Sequence, residues 1–305
     1  MIMKSSFCYI FLVITTFLNA QQPVQDTFYL FFLGGQSNME GYGYNEQLPD
    51  SMNSVQEDVL IFNGNAVADG AKDGGLGNWS ALQPGYGVGF YSKGKKNIYS
   101  NRFGLELTLG KVLKERYSNT KIAFIKYARG GSSLDSLSAR FFGSWAPDFQ
   151  GKNGINQYDH FQNTLKNAYK VKDINGDGLR DVLIPKGIFW MQGEGDAETI
   201  ESSALDYEKN LSQLMHLIRL HLGNAELPIV IGKISDSGDT WPYGEIVMDA
   251  QESYVKKDKN ATLVRDTEDY AYSDPWHYDS QGYIDLGIAF AKAYIQLLEN
   301  LRLEK

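Results

Sequence analysis

Five short apolar runs punctuate the chain: Thr27 to Leu33 (TFYLFFL), Lys121 to Tyr127 (KIAFIKY), Pro185 to Met191 (PKGIFWM), Leu227 to Ile234 (LPIVIGKI) and the shorter Ala261 to Arg265 (ATLVR). None alternates apolar and polar residues as a half-exposed strand does, so each reads as a strand buried on both faces, as in a parallel sheet. The segments between them carry helical periodicity. Arg102 to Tyr117 places apolar residues at Phe103, Leu105, Leu107, Leu109, Val112 and Leu113, and Asp159 to Val171, Ser202 to Leu222, Gly244 to Lys257 and Gln281 to Leu301 are further helices. Strand and helix therefore alternate, which predicts a parallel sheet covered on both faces, an α/β/α arrangement. Two stretches break the alternation. Asp50 to Ser100, rich in Gly, Asn and aromatic residues, reads as a long ordered excursion near a site mouth, and Arg140 to Asn156 is similar. There is no internal repeat, low-complexity tract or domain boundary.

The first residues alter the picture of where the protein works. Lys4 precedes an apolar run, Phe7 to Leu18, of 12 residues. That length suits a secretory signal and falls short of a membrane span. With Ala20 before the cut, residues 1–20 are expected to be a signal peptide and residues 21–305 a single exported domain, secreted or periplasmic. The only cysteine, Cys8, lies in the signal. The expected mature chain therefore has no disulfide, thiolate nucleophile or Cys-ligated metal. The net charge of −8, without basic clusters, argues against nucleic acid and anionic membrane as partners. The 19 Tyr and 5 Trp suit sugar rings, and suit an ordinary core as well.

Ligands of doubly wound sheets bind beyond the carboxyl ends of the strands, and the polar motifs of this chain stand there. Gly34-Gly35-Gln36-Ser37-Asn38-Met39 leaves the first strand; its glycines permit a tight turn that points the Ser37 hydroxyl into a crevice. The spacing is not the G-x-S-x-G of the α/β-hydrolase elbow, and alone the turn reads equally as a Ser helix cap. Ala128-Arg129-Gly130-Gly131-Ser132-Ser133 follows the second strand, and its Gly pair can turn a backbone N–H toward an anion. After the third strand comes Trp190-Met191-Gln192-Gly193-Glu194-Gly195-Asp196, where the Gln192 amide can donate to a developing oxyanion. Asp274-Pro275-Trp276-His277 precedes the last helix, with Asp274 at a spacing that reaches the His277 ring. The other histidines, His160, His216 and His221, fall in helical patterns and read as surface or boundary residues. Each motif alone supports a structural reading; together they supply nucleophile, oxyanion donors, base and orienter.

This order of motifs resembles the SGNH-hydrolase superfamily, and the G-Q-S-N-M, G-G-S, W-M-Q-G-E and D-x-x-H strings look like its sialate O-acetylesterase-related branch, which includes the acetylxylan esterases of carbohydrate esterase family six. The resemblance covers nearly the whole expected mature chain, Asp50 to Ser100 least clearly. It implies a three-layer sandwich with a parallel, flavodoxin-like sheet and a serine esterase that removes O-acetyl groups from a carbohydrate. Ser37 would be the nucleophile, His277 the base and Asp274 its orienter, with Glu194 a second candidate for the histidine's partner. The N–H groups of Ser37 and Gly131, with Gln192, would form the oxyanion hole. Gln36, Asn38 and Trp276 are assigned to substrate contact, and Trp145 and Tyr278 to the same sugar groove as Trp276. The substrate would be an acetylated oligo- or polysaccharide, and acyl transfer of this kind requires no cofactor.

One signal stands apart. Asp173, Asn175, Asp177 and Asp181 match the start of a calcium loop, with Gly178 at its turn; position twelve is Ile184 where an EF-hand has Glu. The loop is a candidate structural calcium site or a plain Asn/Gly/Asp turn. Three rival functions stay open: an esterase of the same superfamily on lipid or aryl esters, a catalytically dead carbohydrate-binding protein, and a glycosidase using Glu194 and Asp196.

Overall fold

The computed structural model describes residues 25–151, 154–235 and 240–303; the expected signal peptide, with Lys4 and Cys8, lies outside them. Among the described residues, seven strands make one sheet: β1 (Thr27–Gly35), β2 (Gln56–Asn63), β3 (Ser80–Leu82), β4 (Lys121–Ala128), β5 (Val182–Met191), β6 (Ile229–Gly232) and β7 (Ala261–Val264). Their spatial order is β7-β6-β5-β1-β4-β2-β3, parallel except for the antiparallel pair β2–β3 at one edge. The five strands expected from the apolar runs form the flavodoxin-like centre, and their order reverses at β1, which opens a crevice there.

The two strands not expected come from the Asp50 to Ser100 excursion. The buried part of β2, Val59 to Asn63, is a short run flanked by polar and Gly-rich chain, so its periodicity is weak. It nevertheless pairs in register with β4, Val59 opposite Ile122 through Asn63 opposite Lys126. The rest of the excursion folds back through short antiparallel ribbons, Gly43–Tyr44 on Arg102–Phe103 and Tyr91–Ser92 on Asn97–Ile98.

Eight helices are formed by the described residues: α1 (Ser37–Glu40), α2 (Glu106–Arg116), α3 (Gln157–Lys170), α4 (Glu194–Ala197), α5 (Glu201–Leu205), α6 (Tyr207–His221), α7 (Gly244–Lys257) and α8 (Ser280–Leu303). The helix expected from Arg102 starts later, because Arg102 and Phe103 pair as a strand. The helix expected over Ser202 to Leu222 is two, α5 ending and α6 beginning at Asp206. His160, expected at a surface or boundary, is buried, its Nε2 3.2 Å from the Val67 carbonyl.

The strand centres are almost wholly apolar, with Phe28, Phe31, Phe32, Ile122, Phe124, Ile188, Phe189 and Ile231 fully buried. The exception is Lys126, next to last in the second expected run and 1 % exposed. Its ammonium has three protons and three acceptors: Glu106 Oε2 at 2.8 Å, the Glu40 carbonyl at 2.9 Å and the Tyr86 carbonyl at 3.1 Å. Glu106 is buried too, and its other oxygen accepts the Gly104 N–H at 2.9 Å. A buried charge is tolerated only when so completely partnered.

Removing one partner leaves an unpaired buried charge. Glu106→Gln is expected to lower the unfolding free energy by about 3–5 kcal/mol. Lys259→Ala, in an exposed pair with Glu226, should change it little. Urea unfolding of both variants checks this; equal effects would mean that the buried pair is not a structural anchor.

Candidate active site

The site is built from the turns after β1, β4 and β5, closed by the loop before α8. The first turn requires glycine. Gly35 has φ +145°, and a Cβ there would lie 2.0 Å from the Met191 carbonyl oxygen. That carbonyl accepts the Gln36 N–H at 2.9 Å, so the ends of β1 and β5 are held together where the chain turns into Ser37. The second turn packs directly on the first: a Cβ on Gly130 would lie 3.2 Å from Ser37 Cβ and 3.2 Å from the Tyr42 hydroxyl oxygen. Glu40 Oε2 accepts the Gly130 N–H at 2.8 Å. The next N–H, that of Gly131, makes no hydrogen bond within the described residues, and neither does that of Ser37.

Ser37, Gly130 and Gly131 line a cavity of about 300 Å³ together with Gln36, Tyr42, Arg129, Arg140, Phe142, Glu194, Trp241, Trp276 and His277. The volume is at the small end of ligand pockets. His277 Nδ1 lies 2.7 Å from Asp274 Oδ2, while Asp274 Oδ1 accepts the N–H groups of Trp276 and His277 at 2.8 and 2.9 Å. The imidazole lies flat on the Tyr42 ring, centroids 3.7 Å apart at 8°. Burial pushes the His277 pKa below the ordinary histidine value, and the bond to Asp274 only partly offsets it. Burial also pushes Asp274 up, but the bonds from His277 and the Trp276 N–H outweigh it and hold the carboxyl below its usual range. No hydrogen bond joins Ser37 Oγ to His277 within the described residues, although both line the cavity; such bonds are commonly long before substrate binds.

The two acids of the third motif have other partners. Glu194 Oε1 accepts the Asn38 amide at 2.8 Å, its Oε2 is buried with no partner, and burial raises its pKa. Glu194 is not bonded to His277. Asp196 is fully buried and accepts the N–H groups of Leu134 and Asp135 and the Gln192 amide, the last at 2.7 Å; burial raises its pKa to about 7. It does not line the cavity, so Glu194 and Asp196 do not face each other across a bound sugar as a glycosidase needs.

Several expected contacts are placed differently. Asn38, expected at the substrate, is buried as a clip: its amide donates to Glu194 and, at 3.3 Å, to the Trp276 carbonyl, while its oxygen accepts the Tyr283 hydroxyl at 2.8 Å. Gln192, expected at the oxyanion, is 0 % exposed and faces inward, both amide protons held by the Ser132 carbonyl at 3.1 Å and by Asp196. Trp145 and Tyr278 belong to the core, Trp145 against Trp190 at 4.9 Å and Tyr278 with its hydroxyl on Ser235 at 3.0 Å. Of the expected aromatic groove, Trp276 remains at the cavity, 49 % exposed. Tyr42, Arg129, Arg140 and Trp241 were not expected there. Arg129 carried a signal, since it opens the second motif; Tyr42, Arg140 and Trp241 sit in irregular chain with none. In the Asp173 loop, Asp173 accepts the N–H groups of Gly176 and Gly178, and Asp181 accepts that of Ile174. Among the described residues no group of three or more His, Cys, Asp or Glu side chains is spaced to hold a metal.

Residues 27–296 match the family model described as "Carbohydrate esterase, sialic acid-specific acetylesterase". No curated protein matches the chain. Among solved structures it is similar to a protein from Arabidopsis thaliana (20 % identity over 90 % of this chain and 99 % of that one, TM-score 0.63). It is also similar to NanS (16 % identity, 90 % and 99 %, TM-score 0.60) and to a carbohydrate acetylesterase from Xanthomonas citri (17 % identity, 88 % and 56 %, TM-score 0.56). At these identities the likeness bears on the fold.

The geometry around His277 separates its two candidate partners. Asp274→Asn removes a negative charge bonded to the ring and should lower the His277 pKa further below its ordinary value, whereas Glu194→Gln should leave it nearly where it is. An NMR titration of the ring checks this; a fall in Glu194→Gln as large as in Asp274→Asn would make Glu194 the partner.

Proposed function

We propose, from the premise that the chain belongs to the carbohydrate esterase family of sialic acid-specific acetylesterases and so is a carbohydrate O-acetylesterase, that it works through Ser37, His277 and Asp274 by an acyl-enzyme cycle. The observation that carries this reading is that Ser37, two unbonded N–H groups and a histidine bonded to a carboxylate all belong to one cavity. His277, neutral at pH 7 because its pKa is depressed, takes the Ser37 proton as Oγ adds to the acetyl carbonyl. The electron pair moves to the carbonyl oxygen, which the N–H groups of Ser37 and Gly131 receive. Collapse breaks the ester bond, and His277 gives its proton to the departing sugar oxygen. Water, deprotonated by the same ring, then attacks the acetyl-Ser37 carbonyl and releases acetate. Asp274 holds the imidazole in one tautomer and stabilises its charged form. Every proton and electron pair is accounted for by protein groups and water, without a cofactor.

Arg129 supports a finer reading. It lines the cavity and makes no direct ion pair among the described residues, though its charge acts on the buried Glu40 carboxyl, whereas Arg140 is ion-paired with Glu198. A cation without a direct ion pair at the cavity wall suits an acetylated sugar that carries its own carboxylate, a sialic acid, better than neutral xylan. Among the described residues no helix is long and apolar enough to cross a membrane. Export through residues 1–20, leaving a single domain, is part of the same proposal.

Ser37→Ala should lower acetate release from O-acetyl sialic acid by at least about 10⁴-fold, and Asp274→Asn by about 10⁴-fold, whereas Glu194→Gln should lose no more than about tenfold. Activity surviving in Ser37→Ala would remove the nucleophile from this scheme. Arg129→Met should raise KM for the acidic sugar ester by roughly 10–100-fold and affect 4-nitrophenyl acetate far less. Equal effects on both, or faster release from acetylated xylan by the wild type, would exclude the sialate reading.

A further inference from the structure

The oxyanion of the proposed cycle meets two backbone N–H groups, and a side-chain amide was expected as the third donor. Counting protons excludes Gln192. Its Nε2 has two, and they face the Ser132 carbonyl and Asp196 Oδ2, at 3.1 and 2.7 Å. The Ser132 carbonyl can only accept, so the amide cannot be turned round. Its oxygen, 3.0 Å from the Tyr207 hydroxyl, is occupied as well, and the residue lies behind the cavity wall at 0 % exposure.

The same count run on the cavity-lining amide gives the opposite result. Gln36 Oε1 faces the Gly195 N–H at 3.1 Å, a group that can only donate, so the oxygen is identified and Nε2 is on the other side. Neither Nε2 proton has an acceptor within the described residues, and the atom is not sealed from solvent. Gln36 is 3 % exposed, immediately precedes Ser37, and is fixed at both ends, its backbone N–H on the Met191 carbonyl and its side chain on α4. An amide held in one rotamer, with two free protons at the wall beside the nucleophile, is a preorganised donor.

We propose that Gln36 is a catalytic residue, its Nε2 donating to the acetyl carbonyl oxygen as that oxygen gains its electron pair, in the role that the resemblance gives to Gln192. The inference rests on Ser37 being the nucleophile. A donor used mainly in the transition state changes kcat rather than KM, and loss of one such donor costs on the order of 10²–10³ in kcat.

The test is Gln36→Met, close in volume and without a donor, assayed for kcat and KM on 4-nitrophenyl acetate and for inhibition by a small alkylboronic acid, whose adduct with a serine is tetrahedral and anionic. The expected result is a fall in kcat of about 10²-fold or more, KM within a few-fold, and weaker boronate binding by a comparable factor. Gln36→Glu, which keeps the acceptor for the Gly195 N–H but not the donor, serves if Gln36→Met fails to fold, and should lose at least as much. A kcat within about threefold of wild type, a loss confined to KM, or a kcat loss with boronate binding unchanged would each overturn the proposal. Ser37→Ala assayed alongside separates the failures: activity surviving there removes the nucleophile assignment, whatever Gln36 does.

Discussion

The position of the site depends on one buried ammonium group. Lys126 stands where an apolar strand would place another Ile or Val, and its three protons reach Glu106 on α2, the last carbonyl of α1 and the Tyr86 carbonyl in the long excursion. Three pieces of chain distant in sequence are thereby tied to one atom of β4. Since α1 begins with Ser37 and β4 runs into Gly130 and Gly131, the same atom fixes the Ser37 turn against the turn that faces it. A hydrophobic residue at position 126 would fill the core as well but would set no such register, because dispersion is not directional.

The chemistry lies in what this bonding leaves over. Most polar groups around the crevice are satisfied inward: Gln192 and Asp196 lock the β4 and β5 turns together, Asn38 clips the nucleophile turn to the His277 loop, and Glu40 takes up the Gly130 N–H. Among the described residues that line the cavity, the N–H groups of Ser37 and Gly131, the Gln36 amide protons and the Nε–H groups of Arg129 and Arg140 have no protein acceptor, and one acceptor, Glu194 Oε2, has no donor. All but the last are donors, and all belong to residues of one cavity. Donors so placed need an acceptor, and in a cavity open to solvent water or a bound ligand can supply one.

Much of this was legible before any coordinates. Five strands were readable because both faces of each are buried, so apolar residues run on without alternation, and the four motifs were readable because turns at strand ends need Gly and polar residues in short compass. Asp274 was readable as the partner of His277 because the spacing is local. β2 and β3 were not, since the buried part of β2 is short and it pairs in the sheet with the distant β4. Nor could sequence tell which amide faces the cavity. Gln36, Asn38 and Gln192 sit in equally polar turns, and their directions follow from partners that fold into place from elsewhere: the Gly195 N–H, the Trp276 carbonyl and the Ser132 carbonyl. Trp145 and Tyr278 illustrate the same limit: an aromatic residue near a motif suits a sugar and a core alike, and here the core claimed both.

One force, burial, acts on the titratable groups of the site in opposite directions. It disfavours charge wherever charge is not met, so it lowers the pKa of His277 and raises that of Glu194. The first effect leaves the histidine able to accept a proton at neutral pH. The second makes Glu194 harder to ionise than an ordinary carboxyl. Asp274 escapes because its oxygens are met by the His277 ring and two N–H groups, so the carboxylate whose pKa is lowered stands against the His277 ring. Of the two acids, the one bonded to the ring is therefore also the one held charged. An acid in Glu194's position serves better as the acceptor that orients Asn38 than as a second partner for the histidine.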